Sequence, residues 1–161
     1  MSTPDVRVLL AAWRDADRRW ESTPRGDPSY VSVCVDVLQA WLAYHEAVDD
    51  HEAGEIALVT DDERSYVAVS RSVETTLGYS AESLLGRRVE DLAPPDVAAT
   101  TPQRWASFVE EGRQDGTFDI LRRDGSIATM RYQARAHYPI ANYHLSRLWP
   151  EPGHRDGRSG A

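Results

Sequence analysis

The sequence contains no lysine. All 18 of its Lys+Arg cations are arginine, and they face 26 Asp and Glu, for a formal net charge of −8 over 161 residues. The absence removes Schiff-base chemistry, a Walker-type phosphate lysine, a kinase-type lysine and a Ser–Lys dyad together. A coding preference for arginine is enough to explain the bias itself. An acidic chain also lacks the concentrated basic surface that nucleic acid or an anionic membrane requires. Cysteine is nearly absent too: Cys34 stands alone, which excludes an intramolecular disulfide and a multi-cysteine zinc site. The opening MSTPDV has no basic stretch followed by an apolar one, so it does not read as a signal peptide. No apolar run approaches the roughly 20 residues of a membrane-spanning helix. The expectation is a cytoplasmic protein with neither nucleic acid nor membrane as partner.

What is present divides the chain into a helical part (1–54), a mixed part (55–150) and a Pro/Gly/Arg/Asp-rich tail (151–161) expected to be disordered. Thr3 as N-cap, Pro4 in the first turn and Asp5 facing the dipole predict a first helix. Val6, Leu9, Leu10, Trp13, Ala16 and Trp20 then recur at helical spacing. Asp27-Pro28 predicts a second start after STPRGDP, and Tyr30, Cys34, Val37, Trp41, Tyr44 and Val48 step by 4, 3, 4, 3, 4. Val31, Val33, Leu38 and Leu42 widen that stripe beyond what one helical partner covers. The second helix is therefore expected to pack on the first and on a further surface, either the following domain or a second subunit. Trp13, Trp20, Tyr30, Val37, Trp41 and Tyr44 are the candidate residues for a dimer or partner interface.

Residues 55–60 (EIALVT) and 65–70 (SYVAVS) read as two strands joined by the polar turn Asp61-Asp62-Glu63-Arg64. Short helical pieces follow to about residue 93, then a helix over 102–111 with Pro102 in its first turn. GTFDILRR (116–123) and SIATMRYQARAHY (126–138) flank Asp124-Gly125, which predicts a hairpin with a type I′ turn. In the later strand Ala128, Met130, Tyr132, Ala134 and Ala136 face one way, and Thr129, Arg131, Gln133, Arg135 and His137 the other. A last strand spans 140–149. The order implies an α+β domain, a five-stranded antiparallel sheet with short helices on one face, preceded by two helices.

GYSAESLLGRRVEDLAP (78–94), the helix ending Phe108-Val109-Glu110-Glu111-Gly112 and the Arg122-Arg123-Asp124-Gly125-Ser126 hairpin occur in the right order and spacing to resemble a PAS domain of the S-box type. The residues also make physical sense alone. Gly78 and Gly86 suit left-handed helix ends, Ser80 suits a cap, and Pro94-Pro95 stops a helix. Tyr79, Leu84, Leu85, Val89 and Leu92 are expected to pack short helices onto the sheet. The resemblance implies a sensory or signalling module whose helices and sheet enclose a pocket, with no catalysis. Two departures stand out: Ser70 replaces the Asn common after the second strand, and the Asp-x-Thr junction to an output domain is missing. With none fused, the module is expected to act through a homodimer or on a separate kinase or transcription regulator.

The resemblance also sets the tests for cofactors. A LOV-type flavin adduct needs a cysteine after the Gly-Tyr-Ser segment, and none follows Cys34. Haem is not expected either, because residues 102–111 lack the axial histidine such domains place there. His137 falls on a polar strand face; His144 could face either way, and neither is read as a ligand. HEAVDDHE (45–52) fails as a metalloprotease motif, since His45 and His51 are six apart, about 240° around a helix. No metal is expected. A noncovalent small molecule remains the open cofactor class, with Trp105, Phe108, Phe118, Met130, Tyr132 and Ala134 as pocket candidates. The same residues would equally fill a dry core. Arg131 and Arg135 would suit an anionic ligand, a carboxylate partner or acids on the N-terminal helices.

Overall fold

The computed structural model describes residues 5–49 and 54–151. The chain divides into two compact units, residues 1–51 and 52–161. In the first, α1 (Val6–Ser22) and α2 (Tyr30–Val48) pack as a hairpin. Asp5 caps α1, its carboxylate accepting from the Arg7 N–H at 2.8 Å; Thr3 and Pro4, the expected cap, lie outside the described residues. The second start signal is displaced. Asp27 Oδ1 accepts from the backbone and hydroxyl of Ser29, making a turn, and α2 begins only at Tyr30. Trp13 stacks on Tyr44 across the hairpin at 5.4 Å, and Cys34, Val37, Leu38 and Leu42 are buried.

The second unit is one antiparallel sheet in the order β2-β1-β5-β4-β3, built from β1 (Ile56–Asp61), β2 (Tyr66–Val69), β3 (Arg113–Leu121), β4 (Ile127–Arg135) and β5 (Tyr143–Pro150). Between β2 and β3 run α3 (Val73–Leu77), α4 (Ala81–Leu84), a 3-10 turn (Val89–Leu92) and α5 (Pro95–Glu111). Ser70 closes the end of β2. Its hydroxyl accepts from the Ala57 N–H at 2.9 Å and meets Ser72, whose hydroxyl donates to the Glu55 carbonyl at 2.6 Å. Ser80 caps α4 as expected, accepting from the Ser83 N–H at 3.2 Å. Of the two adjacent leucines, Leu84 is 1% exposed in the core, while Leu85 is 40% exposed and does not pack on the sheet.

Two expectations are corrected. α5 starts at Pro95, not at Pro102. Pro94 and Pro95 end the 3-10 turn and begin the next helix, where a proline in the first turn removes no hydrogen bond. Pro102 then sits inside α5, leaving the Ala98 carbonyl without its usual i+4 donor. The β3–β4 hairpin is present, but its turn is not type I′. Of its turn residues only Gly125 has positive φ, 88°, and the Gly125 N–H returns to the Arg122 carbonyl at 2.9 Å. That is the pattern of a type I turn closed by a left-handed glycine. The same hairpin is tied to the helical segment by Tyr79, whose hydroxyl donates to the Leu121 carbonyl at 2.7 Å, and by the Arg123 N–H on the Leu77 carbonyl at 3.0 Å. Of the expected tail, only Glu151 is described; its N–H pairs with the Thr129 carbonyl.

Candidate ligand pocket

Between α5 and the inner sheet face lies a cavity of about 100 Å³. Helical spacing puts Thr101, Arg104, Trp105 and Phe108 on one face of α5, above the sheet. Strand alternation supplies the floor: Leu58 and Thr60 from β1, Gln114, Phe118 and Ile120 from β3, Tyr132 and Ala134 from β4, and Ser146 and Leu148 from β5. Tyr66 and Val89 complete the wall.

Of the sequence-predicted pocket residues, Trp105, Phe108, Phe118, Tyr132 and Ala134 line this cavity. Met130 does not. It is 1% exposed in the closed core cluster, two residues further along β4 from Tyr132. The candidate interface residues are all in the helical hairpin. Trp13 and Tyr44 stack on each other, Trp41 lies 4.8 Å from the His45 ring, and Val37 is buried. Trp20 and Tyr30 are half-buried there.

Three of the polar wall groups form one chain. Arg104 Nη2 donates to the Tyr132 hydroxyl at 3.0 Å, which donates to Gln114 Oε1 at 2.8 Å. Thr60 Oγ1 is buried with no hydrogen-bond partner, a cost of about 1–3 kcal/mol that native cores rarely leave unmet. Arg104, Gln114 and Thr60 were not picked out by sequence reasoning. A helix begun at 102 hid the face shared by Thr101 and Arg104, and polar residues at inward positions look like turns or edges until the partner strands are known.

His144 is settled by the fold. It faces inward, is fully buried, and packs edge-on against Trp105 at 5.2 Å and Phe108 at 5.8 Å. Its Nδ1 accepts from the His137 N–H at 3.0 Å, so the ring proton sits on Nε2, 2.8 Å from Asp62 Oδ1. Burial is the main effect on this ring and lowers its pKa below the usual value, against the opposing pull of Asp62. Both nitrogens are committed. Among the described residues no group of three or more His, Cys, Asp or Glu is placed to hold a metal. In the 45–52 run, His45 lies 3.5 Å from Asp49; His51 and Glu52 are outside the described residues.

The arginines of the opposite sheet face are engaged with rings. Arg135 lies over Tyr138 at 4.2 Å, and Arg131 and Arg147 both lie 5.3 Å from the Trp149 ring. Arg64 makes a forked pair with Glu90, its Nε 3.0 Å and its Nη2 2.7 Å from Oε2, which fixes the β1–β2 turn to the 3-10 turn.

Residues 66–142 match the family model for the PAS fold. The second unit has the PAS fold. Three solved PAS structures share its fold. The PAS domain of a protein from Colwellia psychrerythraea has a TM-score of 0.55 at 22% identity, over 61% of this chain and 86% of that one. The PAS domain of an HTR-like protein from Haloarcula marismortui has 0.54 at 18%, over 60% and 86%. The PAS domain of the Cronobacter turicensis quorum-sensing receptor RpfR, in complex with BDSF, has 0.53 at 15%, over 63% and 98%. No curated protein matches the chain. No helix among the described residues is long and apolar enough to cross a membrane.

Proposed function

We propose that this PAS domain is a sensory module that binds a small molecule noncovalently beneath α5 and carries no catalysis. The observation that carries the reading is a cavity walled by apolar side chains in which the Thr60 hydroxyl lacks a partner. A packed core normally leaves neither. The RpfR PAS domain, solved in complex with BDSF, shows that the shared fold can take a ligand. About 100 Å³ suits a molecule somewhat smaller than benzene, which occupies engineered cavities of roughly 150 Å³. Flavin or haem would need several times that space. His144 supports a binding role, because its ring is sealed under Trp105 and Phe108 with both nitrogens already bonded.

Butanol is a suitable neutral probe. At about ten times its Kd it is expected to raise the Tm of the full chain by roughly 3–6 °C. Ala134→Phe, which places a ring in the cavity, abolishes that rise. A wild-type Tm unmoved by saturating butanol means the cavity does not admit ligand, and the reading fails.

A second reading concerns the helical hairpin. Val8 and Val31 are 64% and 65% exposed, large apolar side chains left in water. We place a second copy of the chain on them, as a homodimer, with docking to a separate signalling protein as the competing outcome. Val8→Glu with Val31→Glu should convert a dimer to a monomer in sedimentation equilibrium. A wild-type chain that is monomeric at micromolar concentration removes the dimer.

A further inference from the structure

The wall of the cavity carries one charged side chain, and that charge has no acid to match it. Arg104 is half-buried, and its guanidinium bonds only the neutral Tyr132 hydroxyl; among the described residues no carboxylate lies within ion-pair distance. This is unexpected in a chain with 26 acids to 18 arginines, where Arg64 and Arg147 each hold a glutamate in the same domain. Four guanidinium N–H donors remain for a ligand beside the one given to Tyr132.

We infer that the ligand is a small monocarboxylate, its charged end held by Arg104 and its apolar body lying among Leu58, Phe108, Phe118 and Leu148. The inference rests on the pocket reading above and names the chemical class. One guanidinium answers one negative charge and presents the planar fork that a carboxylate fits. A phosphate monoester would bring a second charge with no cation to meet it, which an apolar wall penalises heavily. An amine would set like charges together. Tyr132 and Gln114 hold the fork in place from behind, since the phenol accepts from Arg104 and donates to Gln114 at 2.8 Å. The volume of about 100 Å³ limits the body to about three or four carbons.

Isothermal titration of the full chain with butyrate, butanol and butylamine tests this. Butyrate is expected to bind at least tenfold more tightly than butanol, and butylamine not at all. Arg104→Gln should weaken butyrate by about ten- to hundredfold and change butanol by less than twofold. Arg104→Lys, which keeps the charge and loses the fork, should fall between. Arg104 is half-buried, and an unchanged Tm for each variant confirms that the fold persists. Equal affinities for butyrate and butanol, or an Arg104→Gln effect shared by both, overturn the carboxylate and leave the pocket standing. If none of the three binds the wild type, the pocket reading falls with it.

Discussion

Truncating Leu84 to alanine should cost about 2–5 kcal/mol of stability, while the same change at Leu85 should cost less than about 0.5 kcal/mol. The two residues are neighbours with identical side chains and identical helix propensity, so the contrast isolates packing. Leu84 is 1% exposed among Leu77, Ala81 and Leu92, and its removal leaves a cavity that short helices held at both ends cannot close. Leu85 is the residue that terminates α4 and is 40% exposed. Urea titration monitored by far-UV circular dichroism measures both. Equal losses at the two positions would mean that Leu85 packs as the sequence alone suggests and that the described orientation of α4 is wrong.

His144→Ala should cost about 3 kcal/mol or more at neutral pH. The ring is fully buried, so its loss opens a cavity under Trp105 and Phe108 and strips the His137 N–H of its acceptor. His144→Phe fills the site with a somewhat larger ring and should cost about 1–3 kcal/mol, from the unmet His137 N–H and the tighter packing together. The two variants also separate packing from protonation. Burial lowers the His144 pKa most; Asp62 and Asp61 oppose it, and His137 adds to it. A histidine held neutral in the folded chain takes up fewer protons than in the unfolded chain. Stability is therefore full above the unfolded value of about 6.5 and is lost as the pH falls from there towards the lower folded pKa. Denaturation at pH 7.5, 6 and 5 should show that loss in the wild type and a flatter dependence in His144→Phe. A variant with the wild-type slope would assign the acid limb to other groups.

The reach of the sequence is clear in particular elements. Period-2 alternation placed β4 correctly from Ala128 to Arg135, because one face is buried and a one-residue slip would reverse it. The Asp-Gly pair marked the hairpin but not its turn type, since both closures use a left-handed glycine and only the residue before it, Asp124, which is not left-handed here, tells them apart. Pro102 misplaced the start of α5 because the cost of an internal proline is local, whereas the packing of Thr101, Trp105 and Phe108 on the sheet is not. For the same reason five of six pocket candidates were legible as inward aromatics and small residues, and the polar members were not. Arg104 joins the cavity wall only when Tyr132, 28 positions on, faces it, and Thr60 only once β5 pairs with β1. His144 was undecidable from β5, where polar and apolar residues share both faces; Asp62, which fixes it, comes from the β1–β2 turn.

The place of Trp105 on the cavity wall has an optical consequence. Of the five tryptophans, Trp13, Trp20 and Trp41 belong to the helical hairpin, and Trp149 lies against two guanidinium groups on the opposite sheet face. Trp105 alone stands on the cavity wall, with the His144 ring centred 5.2 Å from its own. The difference between the emission of the wild type and that of Trp105→Phe therefore isolates one indole, which borders whatever enters the cavity. The domain contains a built-in fluorescent gauge of its own interior.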